Sequence, residues 1–367
     1  MSNRNRKWIY RTPMDNGVLR PELFEMVEET LREPEDGEAL VRVKLVNLHA
    51  HTRFHMQSGK IRLGSSGNGN YACAQVIKTR DRAFKEGDLI ACQAGWQEFQ
   101  YIRSTDPAIG YGPASAKVRA LNQTNSQWTY VFRPQIAARW SPETLLSVFG
   151  TSGMTAYFGM RECGPLSSED AVLVAATSGS VGSIAAQLAK AAGCRVVGLA
   201  GGMDRCNWVV DTLGVDECLD YRSEKLPINL QATFPSGIDV FSDGVAGDLT
   251  QTVALIMNRG GRILSYGTAS SFYSEGASHG NRTRKDVCGI TPTVEAIMAE
   301  RGVTSELWVV DSFYHERLEA EDKLAALLES GQVKPVCNVY EGFETLPAAL
   351  SSLYQNGRAG KLQVRFA

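Results

Sequence analysis

"VLVAATSGSVGSIAAQLAKAAGCRVVGLAGGMDRC", residues 172–206, decides the fold class. An apolar run, VLVAA, enters a short turn containing two glycines and leaves it into SIAAQLAKAAG, a small-residue stretch at helical spacing. A second apolar run, CRVVGLA, follows. Buried strand, tight turn, helix and buried strand are the parts of a β-α-β unit with parallel strands. Within the turn, Gly179 stands where a backbone must approach a pyrophosphate and Gly182 where the helix meets the strand. The amides along Ser178, Gly179, Ser180, Val181 and Gly182 therefore point to a dinucleotide. Thr177 takes the place of the usual first glycine.

The end of the second strand is unusual as well. A site for NAD places Asp or Glu about 20 residues beyond the first glycine to hold the ribose hydroxyls, and Gly201-Gly202 offer no carboxylate. The loop is therefore expected to serve a 2'-phosphate, as in NADPH. Arg205, at the start of the next helix, can meet that phosphate with a forked guanidinium, and Tyr221, just after the third strand, can add a hydroxyl, with Gly202, at the end of the second strand, in the same cofactor set. A solvated helix arginine and an edge-packing tyrosine are the plainer readings of the two. A methyltransferase would also need an acid at the end of the second strand, so that reading loses its main support.

The same rhythm runs outward. Strands at AVLVAA, CRVVGLA, ECLD, IDVFSD, GRILSYG and ELWVV alternate with helical patterns at Val181–Ala192, Met203–Leu213 and Asp248–Asn258. This is an α/β doubly wound parallel sheet of six strands. Its onset is marked at SPETLLSVFG, where Ser141 is an N-cap, proline fills the first helical position and glutamate the first turn. From Gly37 to Arg103 the pattern is instead short alternating or apolar strands, a mostly antiparallel unit. Ser104–Gln135 is polar, with Pro and Gly and no clear period, and reads as a long loop. Its Tyr111, Trp128, Tyr130 and Phe132 either line an apolar pocket or pack on their own domain. After Asp311, HERLEAEDKLAALLESG and the closing elements resemble no further repeat and are assigned back to the first domain. The expected division is 1–140 with 314–367, and 141–313.

At 367 residues, with 43% hydrophobic residues, 35 glycines and a formal charge of −2, the chain carries no bulk basic field for nucleic acid. No run approaches the roughly 20 apolar residues of a membrane span, and the N-terminus lacks a signal-peptide core, so a cytoplasmic protein is expected. The eight cysteines are scattered without a C-x-x-C pair, as reduced, mostly buried thiols would be.

SGMTAYFGM, AATSGSVGSIAAQLAKAAGCRVVGLAGG, GRILSYGTAS and GFETLPAAL together resemble the medium-chain dehydrogenase/reductase superfamily, in the zinc-free branch of prostaglandin reductases, leukotriene hydroxydehydrogenases and alkenal double-bond reductases. The resemblance covers about Arg6 to Phe366 and is weaker before Gly37 and between Ser104 and Ser141. It implies a Rossmann domain inserted in a GroES-like catalytic domain and NADPH as hydride donor. It further implies a small enone or enal substrate and a homodimer formed through the Rossmann domains. Arg205 falls on the family's phosphate-gripping lysine and Tyr221 on its tyrosine. By the same resemblance Thr155, Gly267 and Trp308 join the cofactor set. Arg358 stands where a C-terminal asparagine usually faces the nicotinamide.

Departures cluster near the substrate. The family's Ser-x-Asp-Pro-Tyr-Met-Arg is Asn47–Arg53 here, so its tyrosine is replaced by His51, and Asp-Asn-Val-Gly-Gly is Asp243–Gly247. The substrate is accordingly expected to be a specialised biosynthetic one. His49, His51 and His55 lie within seven positions of one another. On a strand, His49 and His51 would share a face, which suits a metal; packed histidines, or His51 as proton donor, are the other readings. With no cysteine or acid-rich partner segment, no metal is expected. Tyr273 falls near a family aromatic at the substrate. The alternatives are a zinc-free quinone or carbonyl reductase, a reductive cyclase, and a non-catalytic NADPH-binding protein.

Overall fold

The computed structural model describes residues 3–67, 70–105, 129–267, 290–307, 310, 313, 316–354 and 359–366, without the side chains of His51, Phe54, Glu306 and Leu307. The chain divides into two compact units, 1–150 with 337–367, and 151–336.

The first unit opens with two strands, β1 (Arg4–Tyr10) and β2 (Phe24–Thr30), paired antiparallel from Arg4↔Thr30 to Tyr10↔Phe24. No strand was expected before Gly37. Only Phe24 of β2 is buried, and its glutamates instead meet basic residues across the ladder: Arg4 to Glu28 and Arg11 to Glu25 at 2.7 Å, and Lys7 to Glu29. Cross-strand ion pairs of this kind leave no apolar alternation to read. β3 (Ala39–Asn47), helix α1 (His51–Gln57), β4 (Asn70–Thr79), β5 (Leu89–Ala94), β6 (Phe99–Ile102), β7 (Tyr130–Val131), α2 (Pro134–Ala137) and α3 (Pro142–Ser147) follow.

The helix at Ser141 begins as the sequence indicates, with Ser141 Oγ accepting from the Thr144 amide at 3.4 Å and Pro142 in the first turn. It nevertheless belongs to the first unit. Leu145 and Leu146 are fully buried, and Asn47 donates to the Leu146 carbonyl at 3.1 Å. For that reason the unit extends past the expected boundary at 140.

The second unit starts with α4 (Thr151–Glu162) and continues β8 (Ala171–Val174), α5 (Ser180–Ala191), β9 (Arg195–Ala200), α6 (Met203–Leu213), β10 (Glu217–Asp220), α7 (Leu226–Thr233), β11 (Ile238–Asp243), α8 (Asp248–Ala254), β12 (Met257–Ser265), α9 (Pro292–Arg301), β13 (Thr304–Leu307) and α10 (Arg317–Glu329). The six strands are parallel in the order β10-β9-β8-β11-β12-β13. The Asp248–Asn258 pattern overran its helix: Met257 already pairs with Ile238 as strand. Arg161 of α4 grips Glu316 through both nitrogens at 2.6 and 3.3 Å, and α10 packs beside α4. Hence residues 314–336 fall in this unit, later than the expected boundary at 313.

The chain then returns to the first unit with β14 (Cys337–Glu341), α11 (Leu346–Ser352) and β15 (Lys361–Arg365). β15 pairs antiparallel with β3 at Gln363↔Asn47, completing a sheet ordered β14-β15-β3-β4-β5-β7 with β6 also on β3. Phe343, Phe366 and Trp96 lie in its core. Of the long-loop aromatics, Tyr111 and Trp128 lie outside the described residues. Phe132 is buried, and Tyr130 packs on it edge-to-face at 5.3 Å and donates to the Phe149 carbonyl at 3.2 Å.

Candidate functional site

The strand order reverses between β8 and β11, and in such sheets ligands bind beyond the carboxyl ends of the strands at the switch point. The sequence-predicted residues Ser178–Gly182, Gly202, Arg205, Tyr221 and Gly267 all follow carboxyl ends of strands in this one sheet.

Thr177 does work that a glycine could not. Its hydroxyl donates to the Val174 carbonyl at 2.6 Å and accepts from the Leu199 amide at 2.9 Å, tying β8 to β9. Gly198 makes room for it, since a Cβ there would lie 2.9 Å from Thr177 Oγ1. The left-handed turn conformation falls one residue earlier, at Ala176 with φ 49°. Gly179, extended, caps α5, and a Cβ on it would sit 3.0 Å from the Ala176 carbonyl oxygen. At Gly182 an added Cβ would be 2.4 Å from that oxygen and 2.9 Å from that of Ala175, so the helix meets the backbone of the turn in direct contact. The first-turn amides of α5 have no carbonyl of their own helix to bond, which fits them to a pyrophosphate.

The rim beside β9 also fits a phosphate. Gly202, at φ 92°, caps α6, and nothing lies within 4 Å of a Cβ built on it. Arg205 is in the first turn of α6, and Tyr221 follows β10 with its side chain exposed. A Cβ on Gly201 would be 3.0 Å from both Tyr221 Cε1 and Arg222 Nε. Asp220 Oδ1 accepts the amides of Gly202 and Arg222, each at 2.9 Å, and these two hydrogen bonds hold its carboxyl below the usual range. Sequence reasoning missed Asp220 and Arg222; the acid sits one strand later than the pattern seeks it.

Beyond β11, Asp243 is fully buried and accepts from Val245 and Ala246 amides at 2.9 and 2.8 Å and from Thr250 Oγ1 at 2.6 Å. Burial raises its pKa. It holds Ala246 left-handed at φ 62°. Gly267 abuts this loop: a Cβ on it would be 2.6 Å from the Gly244 carbonyl. Thr155 is buried on α4. Tyr273, Trp308 and Arg358 lie outside the described residues, as does the His51 side chain.

In the first unit the histidines share no strand face. β3 ends at Asn47, His49 lies in the connection that follows, and His51 starts α1. Among the described residues no group of three His, Cys, Asp or Glu is arranged for a metal ion. Segment 48–53 is stapled from the far end of the chain. Lys361 Nζ donates to the Leu48 carbonyl at 3.1 Å and lies 3.3 Å from His49 Nδ1. Tyr354 accepts from the Arg53 amide at 3.0 Å and donates to the Ala50 carbonyl at 2.9 Å.

Lys361 is 4% exposed, and burial pushes its pKa down to about 7. The unfolded lysine, at 10.5, binds a proton that the folded one has lost, so this group makes stability rise with pH from 7 towards 10.5. Lys361→Met, which keeps the buried stem, is expected to gain on wild type by about 2 kcal/mol more at about pH 7 than at about pH 8.5, followed by urea denaturation. A pH-independent difference would exclude a neutral folded lysine.

Residues 6–108 match the family model for the N-terminal domain of oxidoreductase, and 180–291 the model described as zinc-binding dehydrogenase. The chain is 25% identical over 370 residues to an NADPH-dependent curcumin reductase of Escherichia coli, covering 99% of this chain and 97% of that protein. It is 29% identical over 293 residues to a 2-alkenal reductase (NADP(+)-dependent) of Nicotiana tabacum, covering 79% and 75%. The crystal structure of CurA from Vibrio vulnificus shares the fold at a TM-score of 0.81, with 23% identity and 99% of each chain covered. No described helix is long and apolar enough to cross a membrane.

Proposed function

Because the chain belongs to the medium-chain dehydrogenase/reductase superfamily, in the branch of the curcumin and alkenal reductases, we propose that it is an NADPH-dependent reductase of the carbon–carbon double bond of an α,β-unsaturated ketone or aldehyde. The observation that carries the choice of cofactor is the rim at Gly201-Gly202, open on the Gly202 side and without a ribose-binding acid at the end of β9, with Arg205 and Tyr221 beside it. Two relatives named as NADPH- or NADP(+)-dependent, one of them for 2-alkenals, support the same cofactor and substrate class.

When bound, NADPH supplies a hydride to the β-carbon of such a substrate, whose oxygen then carries enolate charge. The chain itself aligns the reactants. Ser178–Gly182 hold the pyrophosphate, Arg205 and Tyr221 the 2'-phosphate, and Thr155, Gly267, Trp308 and Arg358 the remainder of the cofactor. His51 and Tyr273 serve the substrate oxygen and proton delivery, His51 with an imidazole suited to exchange near neutrality. Its backbone lies within the segment that Lys361 and Tyr354 fasten.

The test is fluorescence titration with NADPH and NADH on wild type and Arg205→Ala, then NADPH oxidation with enones, 2-alkenals and quinones. NADPH is expected to bind more tightly than NADH, and Arg205→Ala to weaken it roughly 10- to 100-fold while sparing NADH. Enones or 2-alkenals are expected to consume NADPH. Equal loss of both dinucleotides would remove Arg205 from the phosphate. Turnover of quinones alone would move the assignment to a quinone reductase, and tight binding without turnover to a cofactor-binding protein.

A further inference from the structure

The edge around Gly201-Gly202 has a covered half and an open half. Tyr221 and Arg222 lie over Gly201, so closely that a Cβ there would be 3.1 Å from the tyrosine hydroxyl and 3.0 Å from Arg222 Nε; the Gly202 side has nothing within 4 Å. One carboxylate oxygen joins the two sides, because Asp220 Oδ1 takes the amide of Gly202, which starts α6, and that of Arg222, beyond β10. We propose that Asp220 and Arg222 complete the 2'-phosphate site, Arg222 as a second cation beside Arg205 and Asp220 as the positioning residue that sets the arm carrying Tyr221 and Arg222 against the glycine edge.

A phosphomonoester carries a charge of about −1.5 to −2 near neutral pH, which one arginine only partly meets. A carboxylate so close would by itself repel it. Asp220 is acceptable there because its Oδ1 is committed to two backbone amides, and because the arm it fixes brings a compensating guanidinium. The Arg222 guanidinium carbon lies 5.8 Å from the Tyr221 ring centroid, so the arginine and the tyrosine occupy the same side of the edge. The role of Asp220 is thus opposite to that of the acid in an NAD site: it binds the protein's own amides.

This inference rests on the NADPH reading, and the test separates the two. Wild type, Arg222→Ala, Asp220→Ala and Asp220→Asn are titrated with NADPH, NADH and 2',5'-ADP, with thermal unfolding of each variant alongside. Arg222→Ala, at an exposed side chain, is expected to weaken NADPH and 2',5'-ADP roughly 10- to 100-fold and NADH less than about threefold. Asp220→Ala should lose the same preference, and Asp220→Asn, whose amide oxygen still accepts both N–H groups, should restore it. Loss of NADPH and NADH in equal measure, or of neither, in Arg222→Ala overturns the second cation. Asp220→Asn behaving as Asp220→Ala overturns the positioning role. Wild type that binds neither dinucleotide overturns the cofactor reading itself, whatever the variants do.

Discussion

Gly182→Ala is expected to destabilise the second unit by about 3 kcal/mol and to abolish measurable NADPH binding, although by helix propensity alone it would be a gain of about 1 kcal/mol. Two effects of opposite sign meet at this residue. Alanine is the better helix former, but its methyl would stand 2.4 Å from the Ala176 oxygen, 2.8 Å from the Ala176 carbonyl carbon and 2.9 Å from the Ala175 oxygen. All three are backbone atoms of the turn, so no side chain can swing aside and the helix must lift. Lifting α5 moves the first-turn amides from the position proposed for the pyrophosphate. The loss corresponds to a fall of roughly 6–12 °C in the melting temperature of a unit this size. A melting temperature at or above that of wild type, with NADPH still bound, would show that the helix does not approach the turn this closely.

Asp243→Ala is expected to cost about 4 kcal/mol, and Asp243→Asn less than about 1. Removing the carboxylate leaves the buried Ala246 amide and Thr250 hydroxyl and the half-buried Val245 amide without their acceptor, and frees Ala246 from its left-handed conformation. Asparagine keeps an oxygen for the two amides, and its NH2 can donate to Thr250 once that hydroxyl turns. It also removes a charge that burial disfavours. Because the folded pKa of Asp243 is raised, its contribution is fully present in acid and declines as pH rises through the folded value, so Asp243→Asn should gain on wild type with rising pH. Urea midpoints at acid and neutral pH measure both; equal losses in the two variants would mean that charge, rather than hydrogen bonding, holds the loop.

Local pattern reached a good part of this molecule. Strand, turn and helix at 172–192 were legible because apolar period and glycine placement are short-range signals, and Met203–Leu213 has the expected bounds, with Gly202 as its N-cap and Gly214 left-handed at its end. The N-cap at Ser141 was equally plain, yet its helix joined the first unit because its leucines are covered there. β1 and β2 left no apolar alternation, their ladder being dressed with ion pairs. The strand reading of the histidines failed because β3 stops at Asn47, where Lys361 and Tyr354 take the following carbonyls.

The parallel β-α-β unit, the glycine turn that leads into α5 and the lack of an acid after β9 were legible from sequence alone, because all of them depend on residues within a few turns of one another. Only the tertiary structure decided what Thr177 does in place of a glycine, why Gly198 leaves room for it, and that Asp220 clasps Gly202 and Arg222. Those roles arise where separate strands come side by side. A hydroxyl or carboxylate there is defined by the donor it meets, and that donor is supplied by a neighbouring strand or turn about 20 residues away for Thr177 and Asp220, and about 300 residues away for the Lys361 staple.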